Sequence, residues 1–96
     1  MTQPVTEPVP HSTDATVVLY GREHCRLCDV AREVVRAVCA DSGADWVEVD
    51  VDTDPDLSAR HGLTVPVVEI AGKVRFRGVV NPVLLERLLV AEGRGR

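Results

Sequence analysis

The chain predicts an α/β domain of element order β-α-β-α-β-β-α, a four-stranded mixed sheet with helices on both faces. Three observations predict it. A β-branched run, Thr16 to Tyr20, leads within a few residues into an amphipathic helical pattern, which makes a β-α unit. A second such unit follows, from the alternating Trp46 to Val51 into a helix start at Asp54-Pro55. Two short apolar runs then flank Ala71-Gly72, a hairpin signal, and a leucine-rich helix ends the domain.

Taken in order, the first strand is almost wholly apolar, the pattern of a central strand buried on both faces. Leu27, Val30, Ala31, Val34, Val35, Val38 and Cys39 recur at helical spacing, with Arg26, Asp29, Arg32, Glu33 and Arg36 between them. Asp41-Ser42-Gly43 ends that helix, glycine being free to take a left-handed cap. The second strand alternates polar and apolar residues, so one of its faces is wetter. A helix across the first two strands makes them parallel with a right-handed crossover. Asp54 caps a short helix from Pro55 to about Arg60, which Gly62 closes. Val65 to Ile70 reads as a third strand with Pro66 near its start. Lys73 to Arg77 returns antiparallel to it. Asn81-Pro82 caps the last helix, whose apolar face is Val83, Leu84, Leu85, Leu88 and Leu89.

The 96 residues allow one domain. Residues 1–15 carry Pro4, Pro8 and Pro10 among polar residues and read as a disordered tail; Gly93 to Arg96 reads as a second tail, leaving a domain at 16–92. Hydrophobic content of 45% with only 3% aromatic residues means an aliphatic core dominated by valine. The net charge of −4 is made of interspersed charges, without the basic stripe of a nucleic-acid binder. No apolar stretch approaches the roughly 20 residues that span a bilayer. The N-terminus lacks the cationic start and apolar segment of a secretory signal. Three cysteines without an export signal point to the cytoplasm, where a C-x-x-C is catalytic or metal-binding rather than structural. At this size a monomer is the expectation.

The chemistry sits at Cys25-Arg26-Leu27-Cys28, between the first strand and the first helix. A cysteine at a helix N-terminus lies beside unpaired N–H groups and the positive end of the dipole, which favours thiolate over thiol. Arg22, His24 and Arg26 push the same way; Glu23 and Asp29 oppose them. Cys28, three residues further on, is expected to be less exposed and to stay protonated until it attacks a mixed disulfide formed at Cys25. The competing reading is a non-catalytic redox-sensing or metal-binding module using the two cysteines with His24 or His61. A closed zinc site wants four ligands, and no second C-x-x-C is present.

These residues resemble the thioredoxin superfamily, and within it the small glutaredoxin-like bacterial proteins. The matching segments are Val17-Val18-Leu19-Tyr20-Gly21, the cysteine pair, Trp46 to Asp52, Thr64-Val65-Pro66 about forty residues after the pair, and Gly78. The resemblance runs from Thr16 to Ala91 and implies a thioredoxin-like fold. It implies a reversible dithiol–disulfide cycle with Cys25 attacking and Cys28 resolving, and a cis Pro66. It also implies that the Val65 backbone pairs with a bound peptide or thiol. Arg22 and Arg26 join Val65 and Pro66 as expected substrate-binding residues. No tightly bound cofactor is expected. Substrates would be disulfide-bearing proteins or small-thiol mixed disulfides, with a thiol or a reductase recycling the pair.

The chain departs from typical glutaredoxins at two places. Arg26 and Leu27 stand where those proteins have Pro and Tyr, and the added cation suggests a less reducing pair than a thioredoxin's. Gly78-Val79-Val80-Asn81 lacks the Gly-Gly and aspartate that typically hold glutathione. The co-substrate therefore stays open between glutathione, another low-molecular-weight thiol and a protein. Elsewhere, Cys39 reads as a buried small hydrophobe and Trp46 as packing. His24 and His61 read as surface polar residues. Arg75 and Arg77 alternate along one face of the fourth strand, and Asp50, Asp52, Asp54 and Asp56 read as caps in a solvated turn.

Overall fold

The computed structural model describes residues 16–93; both expected tails fall outside them, apart from Gly93. Four strands, β1 (Val17–Gly21), β2 (Trp46–Asp50), β3 (Val67–Ile70) and β4 (Lys73–Arg77), form one sheet in the order β2-β1-β3-β4. Three helices accompany them: α1 (Arg26–Ser42), α2 (Pro55–His61) and α3 (Pro82–Ala91). β1 pairs parallel to β2 and antiparallel to β3, and β3 pairs antiparallel to β4, as the element order requires. Every residue of β1 is buried, because strands flank it and helices cover it on both sides.

The alternation of β1 divides the core in two. Val17 and Leu19 face one layer, with Val68, Ile70 and Phe76 of the sheet, Ala31, Val35 and Cys39 of α1, and Leu85 and Leu89 of α3. Val18 and Tyr20 face the other, with Val49, Val51, Val67 and Leu57 of α2. The buried stripe of α1 is Cys28, Ala31, Val35 and Cys39, one residue every three or four. Leu27 and Val30, expected on that stripe, lie on its flank and are about half exposed. In α3 only Leu85 and Leu89 are buried, whereas Val83 and Leu84 are exposed.

Helix ends follow the capping chemistry closely. Gly43 takes a left-handed φ of 79° and donates to the Cys39 carbonyl. The Asp54 and Asn81 side chains accept from the first-turn N–H groups of α2 and α3. Gly93, assigned from sequence to the tail, instead closes α3 by donating to the Val90 carbonyl.

Three local expectations need correcting. Val51 does not extend β2: residues Val51–Thr53 form a single 3-10 turn, because the Asp50 carboxylate accepts from the Asp52 N–H and turns the chain. Strict alternation in β4 is broken by a bulge opposite Val68 and Glu69, where Arg75 is the extra residue. Phe76 therefore faces the first core layer and Val74 the second, so Arg75 and Arg77 no longer mark one regular face. Finally, His61 is buried rather than on the surface, its ring 4.6 Å from that of Tyr20. Stacking on the aromatic ring and packing at the end of α2 take it out of water.

Candidate active site

β1 delivers the chain to the site and α1 begins on it. His24 adopts a left-handed φ of 58°, which turns the backbone sharply into Cys25. Cys25 is the N-cap of α1: its sulfur accepts from the Cys28 N–H at 3.2 Å and its carbonyl accepts from the Asp29 N–H at 3.0 Å. A serine or aspartate oxygen commonly holds this position, and here a half-buried sulfur does. Cys28, one turn in, is completely buried. All three cysteines are free thiols.

The two sulfurs have unlike surroundings. Burial, above all, pushes the Cys28 thiol up to about 11. Its S–H donates to Cys25, and the charges of Cys25 and Glu48 add to the rise, while the Arg22 backbone N–H pulls the other way. Gly21 covers Cys28 so closely that a β-carbon there would lie 3.3 Å from the Cys28 Cβ and 3.4 Å from Sγ. Cys39, in the core with Val35, is likewise pushed up to about 11 by burial.

The β1–β3 register brings the second half of the site into place. Tyr20 pairs with Val67, so the next residue outward on each strand sets Pro66 beside Gly21, the residue that packs on Cys28. The Val65–Pro66 peptide bond is cis, as the resemblance implied. Pro66 precedes β3 rather than lying within it, and its carbonyl accepts from the Gly78 N–H at 2.8 Å. Val65 is half-buried and packs against the second core layer. Leu63, Thr64 and Val79 around it are exposed, Leu63 completely.

The arginines divide. Arg26 is exposed at the start of α1, next to Cys25. Arg22 is committed elsewhere: its guanidinium pairs with Asp52 at 2.9 Å and donates to the Gly62 carbonyl at 2.9 Å. It thereby ties the segment before the cysteines to the segment before Pro66. A cleft of ≈ 260 Å³ opens beside these residues, lined by Gly21, Arg22, Glu23, Arg32, Glu48 and Asp50. In it Arg32 grips both oxygens of Glu48, at 2.7 and 2.9 Å, and holds Asp29 at 3.1 Å. Sequence reading gave Gly21, Arg32 and Glu48 no role in the site. One acidic residue in an alternating strand reads as a solvated face, and only the register of β2 against β1 brings it beside Cys28. Among the described residues, no three His, Cys, Asp or Glu side chains converge as a metal-ligand set, and no helix is long and apolar enough to cross a membrane.

Comparison with known proteins agrees with this architecture. Residues 16–90 match the family described as Glutaredoxin-like domain (DUF836). Among solved structures, the chain is similar to protein XcR50 from X. campestris, with 30% identity and a TM-score of 0.65, covering 78% of this chain and 96% of that one. Its fold is also shared with protein Ne2328 from Nitrosomonas europaea (21% identity, TM-score 0.65, 92% and 98% covered). A glutaredoxin from Archaeoglobus fulgidus shares it too (20% identity, TM-score 0.61, 88% and 96% covered). No curated protein sequence matches the chain. A cysteine pair capping α1, a cis proline beside it and a family match over nearly the whole described domain lead to one assignment: the chain belongs to the glutaredoxin-like domain family of the thioredoxin superfamily.

Proposed function

We propose that the domain is a cytoplasmic thiol–disulfide oxidoreductase that works by a dithiol cycle. The asymmetry of the two sulfurs carries this reading: Cys25 is half-exposed and accepts the Cys28 backbone N–H, while Cys28 is buried and its thiol pushed up by burial. The Cys25 thiolate attacks one sulfur of a substrate disulfide, forming a mixed disulfide and releasing the other sulfur as a thiolate that takes a proton from solvent. Cys28 then loses its proton and attacks the Cys25 sulfur. The Cys25–Cys28 bond forms, the second substrate thiol leaves, and two electrons have passed from the protein to the substrate. A low-molecular-weight thiol (glutathione or another) or a reductase returns the pair to dithiols.

In this reading the substrate lies against the Val65 main chain and Pro66, and the exposed Arg26 meets acidic groups beside the leaving sulfur. Arg22 serves the substrate indirectly, by fixing the two loops between which it docks. The exposed apolar side chains Leu27, Leu63 and Val79, on the three segments that border the sulfurs, favour a protein substrate over a small anionic thiol.

The deciding measurement is trapping. With a protein disulfide as substrate, Cys28→Ser is expected to stall as a covalent mixed disulfide at Cys25, and Cys25→Ser to form none. Complete substrate reduction by Cys28→Ser at the parental rate would overturn the two-thiol scheme. Absence of any adduct at Cys25 would overturn the oxidoreductase reading itself.

A further inference from the structure

Arg22 stands three residues before Cys25, where sequence alone places it on the substrate, yet its guanidinium is filled from within the chain. Nε and Nη2 donate to the two oxygens of the Asp52 carboxylate, at 3.3 and 2.9 Å, and Nη1 donates to the Gly62 carbonyl at 2.9 Å. Paired donation to both oxygens is how an arginine captures the carboxylate of a ligand. Asp52 therefore occupies, as part of the protein, the position a ligand carboxylate would take. It is a fixed partner. Its N–H donates to the Asp50 carboxylate at 2.9 Å and the Thr53 hydroxyl donates to the Asp50 carbonyl at 2.6 Å, so the 3-10 turn of Val51–Thr53 holds it in place. On the other side Gly62 lets the guanidinium lie close, since a β-carbon there would be 3.2 Å from Nη2.

Given the dithiol cycle proposed above, we infer that Asp52 is the residue that sets the substrate class. By filling Arg22 it withholds a fixed cation from low-molecular-weight thiols that carry carboxylates, and leaves the site to polypeptide disulfides.

The charges nearby work in the same sense. Arg32, the other cation lining the cleft beside Cys28, is filled by Glu48 and Asp29. Glu23 and Asp50 line that cleft as well, and the protein carries a net charge of −4. A small disulfide bearing carboxylates thus approaches a negative surface whose fixed cations are already taken. Arg26 beside Cys25 is exposed, and a cation on a solvated side chain adds little to binding. A polypeptide disulfide needs no such capture, because its main chain pairs with Val65 and its apolar neighbours meet Leu27, Leu63 and Val79.

The test compares two small disulfides, oxidised glutathione, which carries carboxylates, and hydroxyethyl disulfide, which is uncharged. Each is mixed in excess with the reduced protein. Cys25 attacks, Cys28 closes the intramolecular disulfide, and two electrons pass to the small disulfide, which leaves as two thiols. Loss of alkylatable thiol gives a rate constant for each. The quantity read is the ratio of the glutathione rate to the uncharged one, from which general damage to the site cancels. In Asp52→Asn, which keeps the shape and removes the charge, that ratio is expected to rise about 10-fold. The rise should shrink towards the parental ratio in about 1 M salt, where the screening length falls to about 3 Å. It should be lost when Arg22→Gln is added. Asp52→Ser, a second way of emptying the guanidinium, should raise the ratio as well. A ratio within twofold of the parent in both Asp52 variants overturns the inference. So does a rise that survives Arg22→Gln or high salt, since the freed guanidinium would then not be its source. A parent protein that reacts with neither disulfide would instead refute the oxidoreductase reading.

Discussion

Ser42 ends α1 with its hydroxyl buried and, among the described residues, without a hydrogen-bond partner. A hydroxyl withdrawn from water and left unpaired costs on the order of 1–2 kcal/mol. Ser42→Ala should therefore stabilise the fold by about 1 kcal/mol, read as a higher denaturation midpoint; a lower midpoint would mean the hydroxyl is satisfied in solution. The thiols make a second prediction at this scale. Cys28 and Cys39 are both pushed from 9.0 to about 11 in the fold. Below pH 9 both states keep these protons, and above it the unfolded chain releases them first. Stability of the reduced protein should thus be fully present at neutral pH and decline from about pH 9 to pH 11. Denaturation curves across that range check it, and Cys39→Ala should flatten the decline. His61 acts at the other end. Burial and the nearby Arg60 and Arg77 hold its ring below the ordinary value of 6.5, against a smaller opposite pull from Glu69. As pH falls below 6.5 the unfolded imidazole gains a proton that the folded one resists. Stability should therefore drop in mild acid, and a variant without the imidazole, His61→Phe, should lose that dependence.

At the scale of single elements, the β3–β4 hairpin turns on Ala71 and Gly72, both with positive φ, 52° and 83°. A two-residue turn of this kind follows the twist of the strands it joins, and its first position suits Asn far better than Ala. Ala71→Asn should stabilise the protein by roughly 0.5–1 kcal/mol, read from its thermal midpoint; a loss would show that the turn relaxes in solution. The same hairpin shows why some elements were legible in the sequence and others were not. Capping and turn residues act on their immediate neighbours, so Gly43, Asp54, Asn81 and Ala71-Gly72 could be read locally. The bulge at Arg75 could not, because it depends on which residue of β3 each residue of β4 meets. Helical spacing likewise found the line of Ala31, Val35 and Cys39. It could not tell that Leu27 and Val30 lack a neighbour, since that is decided by where the sheet ends.

For the molecule as a whole, the order of elements, the cysteine pair and Pro66 sufficed to indicate the fold, since each is a short-range pattern tied to one topology. The surroundings of Cys28 were beyond such patterns. Glu48 and Gly21 are 27 residues apart and meet only because β1 and β2 pair parallel in one register. His61 was misjudged for the same reason: its partner Tyr20 lies on a different strand unit. The two core layers take alternate residues of the same strand, β1, so neither can come apart without disturbing the other. Trp46, packed against the first layer from the edge strand, is the sole tryptophan. Its fluorescence and the helical circular dichroism should therefore lose native signal in one coincident transition. Separated transitions would show that α2 and its layer unfold independently.

The bulge in β4 also bears on how copies of this protein meet one another. The open edges of the sheet are β2, whose exposed acidic side chain is Glu48, and β4, which displays Lys73, Arg75 and Arg77. Pairing of the β4 of one molecule with the β2 of the next would leave a free β2 and a free β4 at the two ends. Such a contact is head-to-tail, and where its rotation does not close into a ring it propagates as a fibre. The extra residue at Arg75 interrupts the regular ladder, and an irregular edge of this kind is a poor template for strand addition by another copy.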